Sequence, residues 1–226
     1  MSVAVVDVLG RVNTQLRDPG YIRWTKSEVL DYFNDAVRAV VLNRPDASAS
    51  IIDVDCVAGV AQALPDTAYQ LIDIVGQTSG RAVPPIDRIM LDNADPYWRA
   101  TTGSPSVEGY LYSPLLPQVF NVFPGAEEGL SLKVAVSLYP VSVDIDELDG
   151  NDAENPVQMQ ISDLYINPVV DWCLYRAFSK DAESGADSNL ATQHLQNFNN
   201  ALGIKTKADR ASYQAKSAQA AGQAGA

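Results

Sequence analysis

The sequence predicts an α+β fold: a helical bundle of about four helices, an inserted antiparallel β-rich region and an extended C-terminal tail. Three observations predict it. Apolar residues recur at helical spacing near both ends of the ordered chain. β-branched residues alternate with polar ones through the middle, and the segment from Ile204 onward is rich in Ala, Gln, Lys and Ser. The domain division follows: residues 1–48 and 156–203 form the bundle, 49–155 the β-rich insert and 204–226 a flexible tail.

Val5, Val8, Leu9, Val12 and Leu16 make one face of a helix over Val3–Leu16, and Asp18-Pro19-Gly20 stops it. Thr25 through Glu28 fits a capping box, with hydroxyl and carboxylate satisfying reciprocal backbone N–H groups. The apolar stripe Val29, Leu30, Phe33, Ala36, Val37, Val40 and Val41 follows, closed by Asn43-Arg44-Pro45.

From Ala49 to Val143 the chain reads mainly as strands. Ser50–Val57 is a half-buried strand with Gly59–Leu64 as its hairpin partner, and Leu71–Val75 and Val83–Met90 are further strands. Asp92–Arg99 reads as a short helix or turn capped by Asn93 or Asp95, with Pro96 at its first position. The clearest β signal is Val107–Tyr112, then Pro117–Phe123 paired through a Pro124-Gly125 turn with Leu130–Leu138. Val143–Asn155 is an acidic loop.

A third helix spans Asp163–Ser179, apolar over more than one face and therefore central to the core. Gly185 and Asp187-Ser188-Asn189 break the chain. A fourth helix runs from Leu190 to Leu202, with Gly203 at its end. The expected bundle core is Phe33, Val37, Leu164, Trp172, Leu174, Phe178, Leu195 and Phe198.

Of the 226 residues 46% are hydrophobic, enough for one sizeable core. No apolar run approaches the roughly 20 residues of a spanning helix, and Met1–Gly10 lacks the pattern of a signal peptide, so no membrane partner is expected. The net charge of −12 argues against gripping nucleic acid, which takes clustered Lys and Arg. It leaves room for a protein that surrounds DNA without holding it. Cys56 and Cys173, far apart in apolar surroundings, read as buried thiols.

A search for chemistry finds no catalytic residues, no metal site and no cofactor. His194 stands among Gln193 and Gln196, where a boundary position explains it; no glycine-rich phosphate loop or zinc spacing is present. Asp144, Asp146, Asp149 and Gly150 approach a calcium loop, but Leu148 stands where a third ligand belongs, which favours a solvated acidic loop. Tyr110, Tyr112, Phe120, Phe123 and Tyr139 would suit a sugar- or base-stacking platform; on paired strands they read first as core and sheet-face residues.

The run Ile161-Ser-Asp-Leu-Tyr165-Ile-Asn-Pro-Val-Val170-Asp-Trp172-Cys-Leu-Tyr175-Arg176-Ala177-Phe-Ser-Lys180-Asp181-Ala-Glu183 resembles the C-terminal helix of the head-to-tail adaptors of tailed phages. In short-tailed phages these are also called tail tubular proteins or gatekeepers. Leu30-Asp-Tyr-Phe-Asn34-Asp35-Ala36, Arg44-Pro45-Asp46-Ala47, Leu64-Pro65, Pro85-Ile86-Asp87-Arg88 and Asp95-Pro96-x-Trp98 resemble the same family in order and spacing, from about Thr25 to Leu202. The β-rich region departs most from the short-tailed-phage pattern.

The resemblance implies a structural virion protein in the neck, assembled in the host cytoplasm as a dodecameric ring. Its expected partners are other copies of itself, the portal protein above, and a tail tube or nozzle protein below. DNA would pass through the channel without specific binding. The C-terminal segment of such proteins commonly reaches onto the portal, which makes Lys205, Lys207, Arg210, Tyr213 and Lys216 the expected portal-binding residues. A different neck or tail-completion protein is the alternative within the same class. From another class, the aromatic β region would serve a soluble enzyme or carbohydrate-binding domain.

Overall fold

A computed structural model describes residues 3–150, 155–180 and 187–203. The expected portal-binding residues Lys205, Lys207, Arg210, Tyr213 and Lys216 lie outside the described residues, as does Gly185. The fold is mixed helix and sheet, with six helices and two three-stranded antiparallel sheets among the described residues. It divides into two compact units. One is built from the described residues within Met1–Arg44 and Pro140–Ala226, the other from Pro45–Tyr139.

In the helical unit, α1 (Val5–Leu16) buries Val5, Val8, Leu9, Val12 and Leu16, the predicted stripe. It starts two residues later than expected because the chain before it is extended: the Val5 N–H donates to the Val157 carbonyl at 2.8 Å, and Ala4 bridges Gln158. Arg17 ends the helix in the left-handed region (φ 56°). α2 (Lys26–Asn43) is capped by the Thr25 hydroxyl, which accepts from the Glu28 N–H at 3.3 Å. The reciprocal half of the capping box is missing. Glu28 instead accepts from the Tyr32 hydroxyl and from Lys180, both at 2.6 Å.

A 3-10 turn, Asp163–Tyr165, leads into α5 (Ile166–Lys180), and helix α6 spans residues 187–203. Pro168 is tolerated in the first turn of α5, where its missing N–H would have had no partner in the helix. Asp187-Ser188-Asn189, read as part of a break, already belong to α6.

The helices meet along apolar stripes that bury Phe33, Val37, Leu174 and Phe198, with Trp172, Phe178 and Leu195 half-buried around them. Leu164 is a correction: it is 74% exposed. Counted as α-helix it joins the stripe, but it sits in the 3-10 turn, where three residues per turn bury Tyr165 and leave Leu164 outside. A polar seam joins α2 to α5, with Arg176 donating to Asp35 at 3.0 Å and lying over the Tyr32 ring.

The acidic segment is a second correction. Asp144 caps a short helix, α4 (Ile145–Asp149), and the full capping box forms there with Glu147. Its approach is fixed from α2, where the Asn34 side chain bonds both the N–H (3.0 Å) and the carbonyl (2.9 Å) of Val143. Residues 140–150 therefore belong with the helical unit and not with the β-rich insert.

The β unit contains β1 (Ala49–Asp55), β2 (Gly59–Ala63), β3 (Ala68–Gln77), β4 (Gly109–Tyr112), β5 (Val119–Ala126) and β6 (Ser131–Leu138). One sheet has the order β1-β6-β3 and the other β2-β5-β4. Neither expected hairpin forms: β2 pairs with β5, not β1, and β5 and β6 lie in different sheets. Pro124-Gly125 is not a turn but part of β5. Glycine is needed there because a Cβ would come within 2.0 Å of the Thr101 carbonyl oxygen.

Val54, Leu71, Ile74, Leu132, Val134 and Val136 from the first sheet close on Tyr110, Phe120 and Val122 from the second, so the unit is a sandwich with one core. The expected strand Val83–Met90 is also overturned. Asp87 accepts from the N–H groups of Ile89 and Met90 and starts α3 (Arg88–Ala94), which a 3-10 turn, Trp98–Ala100, follows. Leu91 and Trp98 then cover the outer side of the second sheet, against Val60, Leu111 and Phe123. The unit thus has three layers.

Candidate functional site

The described residues of the acidic segment are engaged within the fold. Asp144 spends a carboxylate oxygen on the Asp146 N–H at 2.9 Å, and Asp149 pairs with Lys26. Among the described residues no three His, Cys, Asp or Glu side chains stand close enough together to hold a metal ion.

His194 is a boundary residue with a packing role. Its Nδ1 lies 2.8 Å from Asp171 Oδ1, and its ring stacks on Phe178, centroid to centroid 5.8 Å. Both contacts tie α6 to α5, together with Phe198 against Trp172 at 4.8 Å. The two thiols are buried and unpaired with each other. Burial pushes the Cys56 thiol up to about 11 and raises Cys173 further, so both stay protonated and unreactive at neutral pH.

The aromatic residues do not converge on a platform. Tyr110 and Phe120 are in the sandwich core, the Tyr110 hydroxyl donating to Asp73 at 2.7 Å. Phe123 is on the other side of its sheet under Trp98, and Tyr139 meets Tyr69 edge-on. Between α2 and residues 140–143 lies a cavity of about 10 Å³, room for one water.

Asp18 shows how firmly the loops are tied: its carboxylate accepts from the N–H groups of Ile22, Arg23 and Trp24 at 2.9–3.1 Å. The Trp24 N–H foremost among these holds its carboxyl below the usual carboxylate range. Asp92 is lowered as well, chiefly by the Arg99 guanidinium and then by the Trp98 indole N–H.

On the β unit exposed apolar residues occur in several places, Leu115 and Leu116 before β5 among them, and two groups lie on its outer layers. The outer side of sheet β1-β6-β3 carries Ile51, 63% exposed, beside the half-buried Ala135 to which it is paired. Ile72 and Val75, at two of the three irregularities of β3, are also exposed. The layer on the other side carries Ile89, Met90 and Tyr97, the last two 74% and 82% exposed. The sequence signal for the second area is Ile89-Met90, which reads locally as the end of a strand and is helical in α3. Asp87 as a helix cap is the feature that would have corrected it.

No curated protein matches the chain. A family model described as SU10 adaptor protein matches residues 4–221.

Proposed function

The chain belongs to the SU10 adaptor protein family, phage head-to-tail adaptors, and on that premise we propose that it forms a ring beneath the portal. As a family member it is a structural component of the virion neck that associates with other neck proteins, and the family is not a class of enzymes. The match over residues 4–221 is the observation that carries the reading, because it takes in both units and most of the tail.

In this reading the ring is dodecameric, continues the DNA channel of the portal and docks a tail tube or nozzle protein below. It assembles in the host cytoplasm. The helices α1, α2, α5 and α6 serve as the bundle and residues 204–226 as the portal-docking tail. Charge supports the assignment. The chain carries a net −12, so a lumen lined by it repels DNA phosphates and lets the genome slide. The tail is the net-basic exception, with Lys205, Lys207, Arg210 and Lys216 against Asp209. It would order on docking, at a cost of about 2–5 kcal/mol of the gross interaction.

Electron microscopy of the purified chain mixed with the portal protein of the same virus tests this. Rings of the chain capping the portal are expected. A monomer that ignores the portal would overturn the proposal. Deleting Ala208–Ala226 should leave the far-ultraviolet spectrum of both units intact and abolish portal binding. Undiminished binding by the truncated chain would remove the tail from the docking role.

A further inference from the structure

The outer edges of the two sheets are not alike. β3 is interrupted by three register shifts, and the five-residue β2 by one. β4 is capped by the chain before it: the Ile86 N–H donates to the Tyr110 carbonyl at 2.8 Å, and the Tyr110 N–H to the Pro84 carbonyl at 3.0 Å. β1 has neither protection. All seven of its residues pair in unbroken register with β6, its one strand neighbour. The Cys56 N–H donates to the Leu130 carbonyl at 2.8 Å, so alternation turns the backbone groups of Ser50, Ile52 and Val54 toward β6. Those of Ile51, Asp53 and Asp55 turn to the open side, and a row of this kind is a template for one more strand.

The two faces of β1 set what that strand must carry. Val54 is buried in the sandwich core with Ile52 half-buried beside it, while Ile51, Asp53 and Asp55 are exposed. Glu127 and Glu128, also exposed, stand in the turn whose Gly129 N–H donates to the Cys56 carbonyl, at the end of β1. Lys133, 3.6 Å from Asp53, is the one cation beside these four carboxylates. A complementary strand is apolar on one face and carries cations two residues apart on the other.

Basic residues stand two apart once in the chain, at Lys205 and Lys207. Ile204, Thr206 and Ala208 interleave with them, which is the period of a strand with β-branched residues on its apolar side. We propose that, in the ring, residues 204–208 of one copy add antiparallel to the open edge of β1 in the next. Lys205 is then opposite Asp55 and Lys207 opposite Asp53, with Thr206 beside Val54 and Ala208 beside Ile52. Parallel pairing with the same charges matched would draw residues 201–203 of α6 into the ladder, which sets the direction. Each copy gives a segment and receives one, the heterologous contact that a closed ring needs. A second β1 is the wrong occupant, because Asp53 and Asp55 of both copies would share one face. The proposal rests on the ring reading and leaves residues 209–226 for the portal.

Disulfide trapping in the full chain tests it, since the native thiols are buried and stay protonated. Chains carrying Asp53→Cys with Lys207→Cys are incubated with portal and oxidised. A ladder of covalent multimers ending at the ring is expected. Asp53→Cys with Ala208→Cys, which the register puts on opposite faces, should link far less; equal linking would overturn the proposal. So would a link closed within single chains, efficient dimers from Asp53→Cys alone, or unlinked Asp53→Cys, Lys207→Cys chains in rings that microscopy shows on the portal. Each of these leaves the adaptor reading standing. If the unsubstituted chain forms no ring with portal, the adaptor reading itself fails, and the strand contact with it.

A charge exchange guards against a fault of the cysteine variants. Asp53→Lys with Asp55→Lys, both at exposed positions, should keep the native spectrum and lose ring formation. Adding Lys205→Asp and Lys207→Asp to the same chain should restore rings on the portal. Rings from the first variant, or no recovery in the second, would sink the proposal.

Discussion

The two units of this protein reveal themselves in opposite ways. In the helical unit each element is specified by its own residues. The α1 stripe, the Thr25 cap and the apolar face of α5 are all local signals, because a helix closes its hydrogen bonds within four residues. In the β unit most individual strands were equally legible, but their partners were not. Ser131–Leu138 pairs with both Ala49–Asp55 and Ala68–Gln77, and no short motif says so. Alternation sets which face of a strand is buried; it leaves open which other strand supplies the ladder.

The contrast can be broken most strongly in the helical unit. Leu174 is 1% exposed, and Leu174→Asp places an unpaired charge there, at a cost of several kcal/mol. Loss of the helical signal at 222 nm at room temperature is expected. A normally folded variant would mean that α5 is not the centre of its unit.

The corresponding test of the β unit is Gly125→Ala. The added methyl meets the backbone of Thr101, which has no rotamer to move aside, and crowding of this kind costs about 1–3 kcal/mol. Amide exchange should speed up in β5 and its neighbours. An unchanged melting curve would show that the strand shifts at no cost and that the close approach is incidental.

Acid separates the units more finely. Asp18 and Glu28 in the helical unit, and Asp92 in the β unit, have folded pKa values below their ordinary ones. For Glu28 the Lys180 ammonium is the main cause, followed by the Tyr32 hydroxyl. Depressed carboxylates contribute stability that is present above the unfolded value near pH 4 and is lost as pH falls through the folded one. Stability should therefore hold down to about pH 4 and decline below it, with the helical unit losing more. Thermal melts of each unit's signal across pH 2–6 measure this, and a flat profile would refute it.

What the sequence concealed has a common physical form. Leu164 fits an α-helical stripe and is solvent-exposed, because a 3-10 turn precedes the α-helix and changes the period by half a residue or so. Pro124-Gly125 has turn chemistry but serves a strand whose backbone passes close to Thr101. Asp87 looked like a strand residue and is a helix cap. For Pro124-Gly125 a tertiary neighbour chose between two local readings, while for Leu164 and Asp87 a competing local turn or cap did. The candidate surfaces were hidden as well: an exposed isoleucine at residue 51 or 89 is indistinguishable in sequence from a buried one. The family resemblance was legible in short pieces of both units, and it carried the functional class where residue chemistry had none to offer.

The ends of the β unit lie side by side. Ser48 Oγ donates to the Leu138 carbonyl at 2.9 Å, and Ala49 is paired with Ser137, so the chain enters and leaves this body at adjacent points. A body whose two ends are neighbours is a cassette. It can be lifted out and the gap bridged by a short turn, or exchanged for a homologous sandwich, without stretching the helices on either side. Natural recombination has the same freedom, so the β unit can be traded as one piece while the remainder of the chain is kept.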